Sequence, residues 1–360
     1  MRVPSSVTLL GLTSLLALTT GCQVVPVQAL SEDPLPPSAG QESSPPAMTP
    51  ESDRLLSMQP TPTLAIVAFG DSEILAPLEW EPPPYRAPLA LRAADHFYFT
   101  KPIPSGQGGF VNPEYRYGST HFGEECIHTG IDIVAARGTL VVAAAAGEVV
   151  WAGYGLYSGY EDKEDPYGLA VAVRHDFGYA GQVLYTVYGH LSSISVWPSQ
   201  RVEMGQAIGE VGDTGHASGT HLHFEVRLDQ LRYFSSRNPE LWIVPAQDTG
   251  VVAGLALDRW GRPLVEQLIQ LRSLDTGQRW QTWTYASGTV RPDEVYGENF
   301  AIGDLPGGAY EVRIDIQGSR STGGMFLHPG QTNFLYFRHK QNYVIEPTTI
   351  PSESDTPPWP

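Results

Sequence analysis

The sequence predicts an all-β protein: an antiparallel β-sheet domain, then a small C-terminal β-sandwich, both behind a disordered N-terminal tether. Three observations predict it. Short apolar or alternating runs recur between glycine turns, as in "TLVVAAAAGEVVWAG", "GLAVAVRHDFG" and "QVLYTVYGHLSSISV", and this is strand patterning. No helical period competes with it. A stretch rich in Pro, Ser and Glu, "SEDPLPPSAGQESSPPAMTPESD", has no sustained periodicity and reads as an extended linker.

Residues 1–22 read as a signal peptide. Arg2 precedes an apolar run that ends in small residues and Gly21-Cys22, too short to span a bilayer as a mature helix. A cysteine at that point resembles a bacterial lipobox, although Thr19 stands where such signals commonly carry Leu. Lipidation of Cys22 would anchor the chain to a membrane; the alternative is an ordinary secretory signal with an incidental cysteine. Either way the protein is exported. Residues 23–62 are the disordered linker, and residues 63–114 form an extension expected to pack on the domain that follows.

Residues 115–245 hold the main antiparallel domain, with "YGLYSGYEDKEDPYG" read as an acidic surface loop. Residues 250–343 supply further short strands between Gly and Pro turns, the pattern of a small sandwich. Residues 344–360 return to linker composition. Acidic residues outnumber basic ones 39 to 22, which argues against nucleic acid as a partner. Two cysteines are too few for a disulfide framework.

The chemistry concentrates in a few histidines. In "GTHLHFEVRL", strict alternation puts Leu222, Phe224, Val226 and Leu228 on an apolar face. His221, His223, Glu225 and Arg227 fall on the opposite one, so the stretch reads as a half-buried strand. Histidines two apart on a strand project the same way, with Cα atoms roughly 6.6 Å apart. Upstream, "HTGIDIV" places His128 and Asp132 four apart. Fully extended, those Cα atoms would lie roughly 13 Å apart, so Gly130 is expected to bend the backbone and turn both side chains inward. His190 ends the apolar strand in "YTVYGHLSS". A His, His, Asp set suits zinc with one position open. No H-E-x-x-H and no G-x-S-x-G occurs, which removes the helical zincin and nucleophile-elbow arrangements.

Together "HTGID", "YGHLSS" and "SGTHLHFEV", in this order within one glycine-punctuated β domain, resemble the lysostaphin-like (LytM-type) zinc endopeptidases of bacterial cell walls. The resemblance covers residues 115–245. It implies one Zn2+ held by His128, Asp132 and His223, with His190 and His221 as the two catalytic histidines that do not ligate. Thr220 stands where proline is common, and Ala217-Ser218 where Ser-Thr is common. Neither departure removes a functional group. His221, beside the ligand position, is the expected general base, and His190 would orient it or stabilise the oxyanion; the reverse division is equally open. The implied function is an exported, membrane-anchored or secreted, zinc metalloendopeptidase acting on peptidoglycan peptides. The alternatives are a catalytically silent cell-wall module and an endopeptidase for secreted proteins.

Residues 250–343 resemble the carboxypeptidase-regulatory-like or transthyretin-like sandwich modules through "DRWGRPL", "FAIGDLPGGAYEVRI" and "LHPGQTNFLYF". Such modules imply binding, spacing or stability. Of the remaining histidines, His175 reads as structural and His216 as a loop residue near the site. His121 reads as a loop residue, and His96, His328 and His339 as surface or packing residues. Tyr188 reads as core.

Overall fold

Glycine and proline turns cut the chain into short strands. A computed structural model describes them over residues 94–123, 126–286, 290–316, 319–339 and 343–348. The expectations for the signal peptide, the linker and residues 63–93 lie outside the described residues, as do those for the tail beyond residue 348. Almost every described element is a strand, and the sheets are antiparallel apart from one pair described below.

The first group begins with β1 (Phe110–Val111), β2 (Ile131–Val134), β3 (Leu140–Val142), β4 (Gly147–Gly153), β5 (Ala170–Tyr179) and β6 (Gln182–Gly189). It continues through β7 (Leu191–Ile194), β8 (Arg201–Val202), β9 (Ala207–Val211), β10 (His221–Leu228) and β11 (Ser236–Arg237). The large sheet runs β1-β2-β10-β6-β5-β4-β8, with β11 added on β10, and β3-β9-β7 form a smaller sheet. β10 is therefore central, with β2 on one side and β6 on the other. Leu222, Phe224 and Val226 are fully buried, and burial of such side chains is worth about 1.5–3 kcal/mol each.

The second group is β12 (Thr249–Ala256), β13 (Leu268–Ser273), β14 (Arg279–Trp283), β15 (Phe300–Pro306), β16 (Gly308–Ile316), β17 (Ser319–Leu327), β18 (Thr332–His339) and β19 (Tyr343–Thr348). It makes two four-stranded sheets, β15-β12-β18-β19 and β14-β13-β16-β17, joined face to face by one apolar cluster that includes Val252, Leu271, Val312 and Phe337. β12 and β18 pair in parallel. The opposite face of β12 and β18, with Val251, Ala253, Leu255 and Phe334, belongs to the same apolar cluster as Phe224 and Trp242. A strand covered on both faces reads as a continuous hydrophobic run, which is what "GVVAGLA" is. β19 also forms past residue 343, where composition alone reads as linker.

Residues 94–100 lie between the two groups. Phe97 and Phe99 are fully buried, and Phe99 bridges to Ile243. Asp95 accepts from the Tyr296 hydroxyl at 2.5 Å and from the Thr332 amide at 3.0 Å. His96 is buried and pairs with Asp293 at 2.7 Å. The described part of the extension thus packs on both groups.

Candidate metal centre

Pairing register brings the distant motifs together. His223 on β10 lies opposite Asp132 on β2 and opposite Gly189 on β6, so the residue after β6, His190, reaches the same place. His128 enters from the bend before β2. A side chain at Gly130 would place its Cβ 2.4 Å from the Phe224 carbonyl oxygen and 3.0 Å from His223 Cε1. Its backbone is not in the left-handed region, so glycine is needed there for close approach and not for an unusual φ. That revises the reason expected from sequence while keeping the bend.

Three donor atoms form a triangle. His128 Nε2, Asp132 Oδ1 and His223 Nδ1 are each 3.0 Å from the other two, and all three residues are buried. Ligands about 2.0–2.1 Å from one tetrahedral ion stand roughly 3.3 Å apart, so the triangle is close to one face of such a site. The protons fit as well. His128 Nδ1 donates to the Arg116 carbonyl at 3.2 Å, and His223 Nε2 donates to Glu225 Oε1 at 2.9 Å. With each ring neutral, both inward nitrogens are lone pairs beside a carboxylate, a donor set that could hold a cation. The electrostatics favour positive charge at this place. Burial alone would lower the His223 pKa, but the Asp132 and Glu225 carboxylates overcome it and push it up to about 9. Burial would raise Asp132, yet His128 and His223 hold it well below the usual carboxylate range.

The remaining two histidines border this triangle. His221 Nδ1 donates to the Gly219 carbonyl at 2.9 Å, and His190 Nδ1 donates to the Thr214 carbonyl at 2.7 Å. Each Nε2 is thereby left as the basic nitrogen. His221 Nε2 stands 3.5 Å from Asp132 Oδ2, and the His190 ring centroid is 4.7 Å from that of His221 and 5.6 Å from that of His223. Burial, then His223 and His221, lower the His190 pKa to about 3. Its backbone has φ of 60°, an uncommon conformation for a residue with a side chain. The Tyr167 carbonyl, accepting from His190 N at 2.8 Å, holds it there.

The five residues singled out from sequence all meet at this place. His216 is exposed on the neighbouring loop, and His328 is exposed and remote in sequence on β17's end. The His339 side chain lies outside the described residues. Tyr188 is fully buried, as expected of core.

Sequence patterning missed the support behind His223. β10 was expected to be half-buried, but every one of its residues is buried. Glu225 Oε1 accepts from His223, from the Tyr167 hydroxyl at 2.6 Å and from Thr129 at 2.5 Å. Glu225 Oε2 accepts from Arg227 Nε at 2.5 Å, and Arg227 also donates to the Tyr167 hydroxyl at 2.7 Å. Burial would raise the Glu225 pKa, but Arg227 and His223 hold it far below the ordinary value. The "acidic surface loop" supplies Tyr167, and Asp165 pins that loop from a fully buried position by accepting the amides of Tyr157, Ser158 and Tyr167. The available signal was Glu225 and Arg227 continuing the polar face of the two histidines.

Residues 126–234 match the family model for Peptidase family M23. This is an M23 domain. Over 103 residues it is 39% identical to DD-carboxypeptidase/endopeptidase Mpg of Neisseria meningitidis serogroup B, a match covering 29% of this chain and 20% of that protein. It is 34% identical over 113 residues to Murein hydrolase activator NlpD of Escherichia coli, covering 30% of this chain and 26% of that protein. The solved catalytic domain of lysostaphin from Staphylococcus simulans is 25% identical, over 39% of this chain and 86% of that one, with a TM-score of 0.28. The chain thus spans about a fifth of Mpg and about a quarter of NlpD. The four site histidines and Asp132 all fall inside the M23 segment.

Proposed function

We propose that this protein is an exported zinc metalloendopeptidase that hydrolyses peptide bonds in peptidoglycan stems or cross-bridges. The observation that carries the reading is the triangle of His128, Asp132 and His223, whose lone pairs converge beside two further histidines with their basic nitrogens set. The similarity to Mpg and to NlpD supports a cell-wall setting. The short apolar run before Gly21-Cys22 supports export.

His128, Asp132 and His223 would hold the ion, which when bound polarises the scissile carbonyl and acidifies water beside it. Glu225 and the Arg116 carbonyl keep the two ligating imidazoles in the required tautomers. His221 takes the proton of the attacking water on Nε2 as the new C–O bond forms, and later gives it to the amine nitrogen as the C–N bond breaks. His190, held neutral by burial, accepts a hydrogen bond from the same water and orients it. The silent-module alternative draws on the name of NlpD, but the full donor set and both basic histidines favour catalysis.

The test is to incubate the purified protein with peptidoglycan, with and without a zinc chelator, and identify released fragments by mass spectrometry. New peptide termini that vanish with chelator are expected. Bound zinc without cleavage would move the substrate to secreted proteins, and neither zinc nor cleavage would leave a silent wall module.

A further inference from the structure

A groove of about 850 Å³, lined by none of the five residues of the metal centre, lies between the edge strand β1 and the outer face of β14-β13-β16. That is a ligand-sized volume. Four arginines, Arg116, Arg272, Arg279 and Arg313, line it together with Glu240, Asp304 and Glu311. Arg272 on β13 sits directly opposite Arg279 on β14, and Gln270 sits opposite Gln281 on β14 and Arg313 on β16. Like charges directly opposite in an antiparallel pair are destabilising. Glu311 offsets Arg272 at 3.3 Å, and Asp315 holds Arg313. Arg279 is exposed and makes no ion pair among the described residues. At the groove's inner end Arg116 pairs with Glu240. Even so, Arg116 Nε and Glu240 Oε2 are buried without a hydrogen-bond partner, and such atoms call for a ligand or water.

We propose that this groove binds a carboxylate-bearing peptide and holds an arm of the substrate remote from the bond that is cut. The inference rests on the peptidoglycan-peptide reading given above. Guanidinium groups match carboxylates as two-pronged donors, and the Gln270–Gln281 pair offers amide donors and acceptors to a peptide backbone. β1 ends its sheet, so its outer edge has no partner strand among the described residues, and an extended peptide can pair along it. Arg116 joins the two places: its side chain lines the groove, while its carbonyl accepts from His128 Nδ1 at 3.2 Å.

The experiment titrates the zinc-loaded full chain with peptides released from peptidoglycan by an amidase, and with the same peptides after their carboxyl groups are amidated. Binding is read calorimetrically. Arg279→Glu and the milder Arg272→Gln are each expected to weaken the free-carboxylate peptides about tenfold or more, and amidated peptides to bind the wild type as weakly. Zinc content and the rate on a short carboxyl-blocked peptide should not change. Unaltered affinity in Arg279→Glu, or equal binding of amidated peptides, overturns the proposal. So does equally strong competition by inorganic polyphosphate, which would assign the groove to phosphate. Arginine-dependent binding without any cleavage supports the groove while sinking the peptidase; cleavage with arginine-independent binding does the reverse.

Discussion

His175 and His190 begin alike and end differently. Both are buried, and both donate Nδ1 to a backbone carbonyl, of Ala146 at 3.1 Å and of Thr214 at 2.7 Å. Burial, the largest cause for each, lowers their pKa values to about 4 and about 3. The other nitrogen separates them. His175 Nε2 meets the Thr186 hydroxyl at 2.9 Å, and the chain continues through Tyr188 to the Ala144 amide; Phe177 stacks on the ring. His190 Nε2 has no hydrogen-bond partner among the described residues, its ring faces two more histidines, and its backbone is held at positive φ. A buried imidazole with a lowered pKa is therefore not by itself a mark of function. An unspent lone pair on a strained backbone is a better one.

The largest effect should come from removing the centre that His190 faces. His223→Ala takes away one corner of the triangle and the group that Glu225 orients, so both bound zinc and peptide hydrolysis should fall to background. Metal analysis of the purified variant and fragment analysis together check this. Full zinc occupancy in His223→Ala would place the ion elsewhere.

Next in size is His190 itself, with His221. Replacing either by Ala should leave zinc in place and cut turnover by about 10²–10⁴-fold, the range for a lost general acid or base. His175→Ala should leave turnover of the folded protein unchanged. If His221→Ala loses zinc as completely as His223→Ala, the division between ligands and proton carriers is wrong.

The same contrast shows what a sequence can and cannot reveal. The alternation in β10 and the order of the three motifs are local, so His128, Asp132, His190, His221 and His223 could be named before any fold was known. The all-β class followed from glycine punctuation for the same reason. What covers a strand is not local. Glu225 and Arg227 are buried because Tyr167, from a loop far away in sequence, closes over them. β12 reads as one apolar run because a neighbouring core covers its second face. Periodicity reports which side chains share a face, and says nothing of what packs on that face.

Glu225 offers a sharper and smaller test. It touches no donor of the triangle except through His223 Nε2, so it is a positioning residue. Glu225→Gln keeps the shape but weakens the acceptor for His223 and leaves Arg227 buried beside a neutral group. Zinc affinity should fall about 10–100-fold, the usual cost of losing a partner behind a ligand. Competition against a chelator of known affinity measures it. Unchanged affinity would reduce the buried cluster to a packing role.

The smallest functional effect, and the one that tests the closed member of the pair, belongs to His175. Its folded pKa, about 4, lies below the ordinary 6.5. Between those values the unfolded chain binds more protons than the folded one, so the stability this residue contributes is complete above about 6.5 and is lost as pH falls toward 4. The full loss is roughly 3 kcal/mol. His175→Gln removes that slope. At neutral pH it should cost about 1–3 kcal/mol, because the Ala146 carbonyl and Thr186 hydroxyl lose their partner. Denaturant unfolding of both proteins at several pH values between 7.5 and 4.5 gives the comparison. The two stabilities should converge as pH falls, since the wild type alone carries the penalty. Curves that stay parallel would mean that His175 is not what the acid acts on, and a drop in turnover in the folded variant would move His175 to the same side as His190.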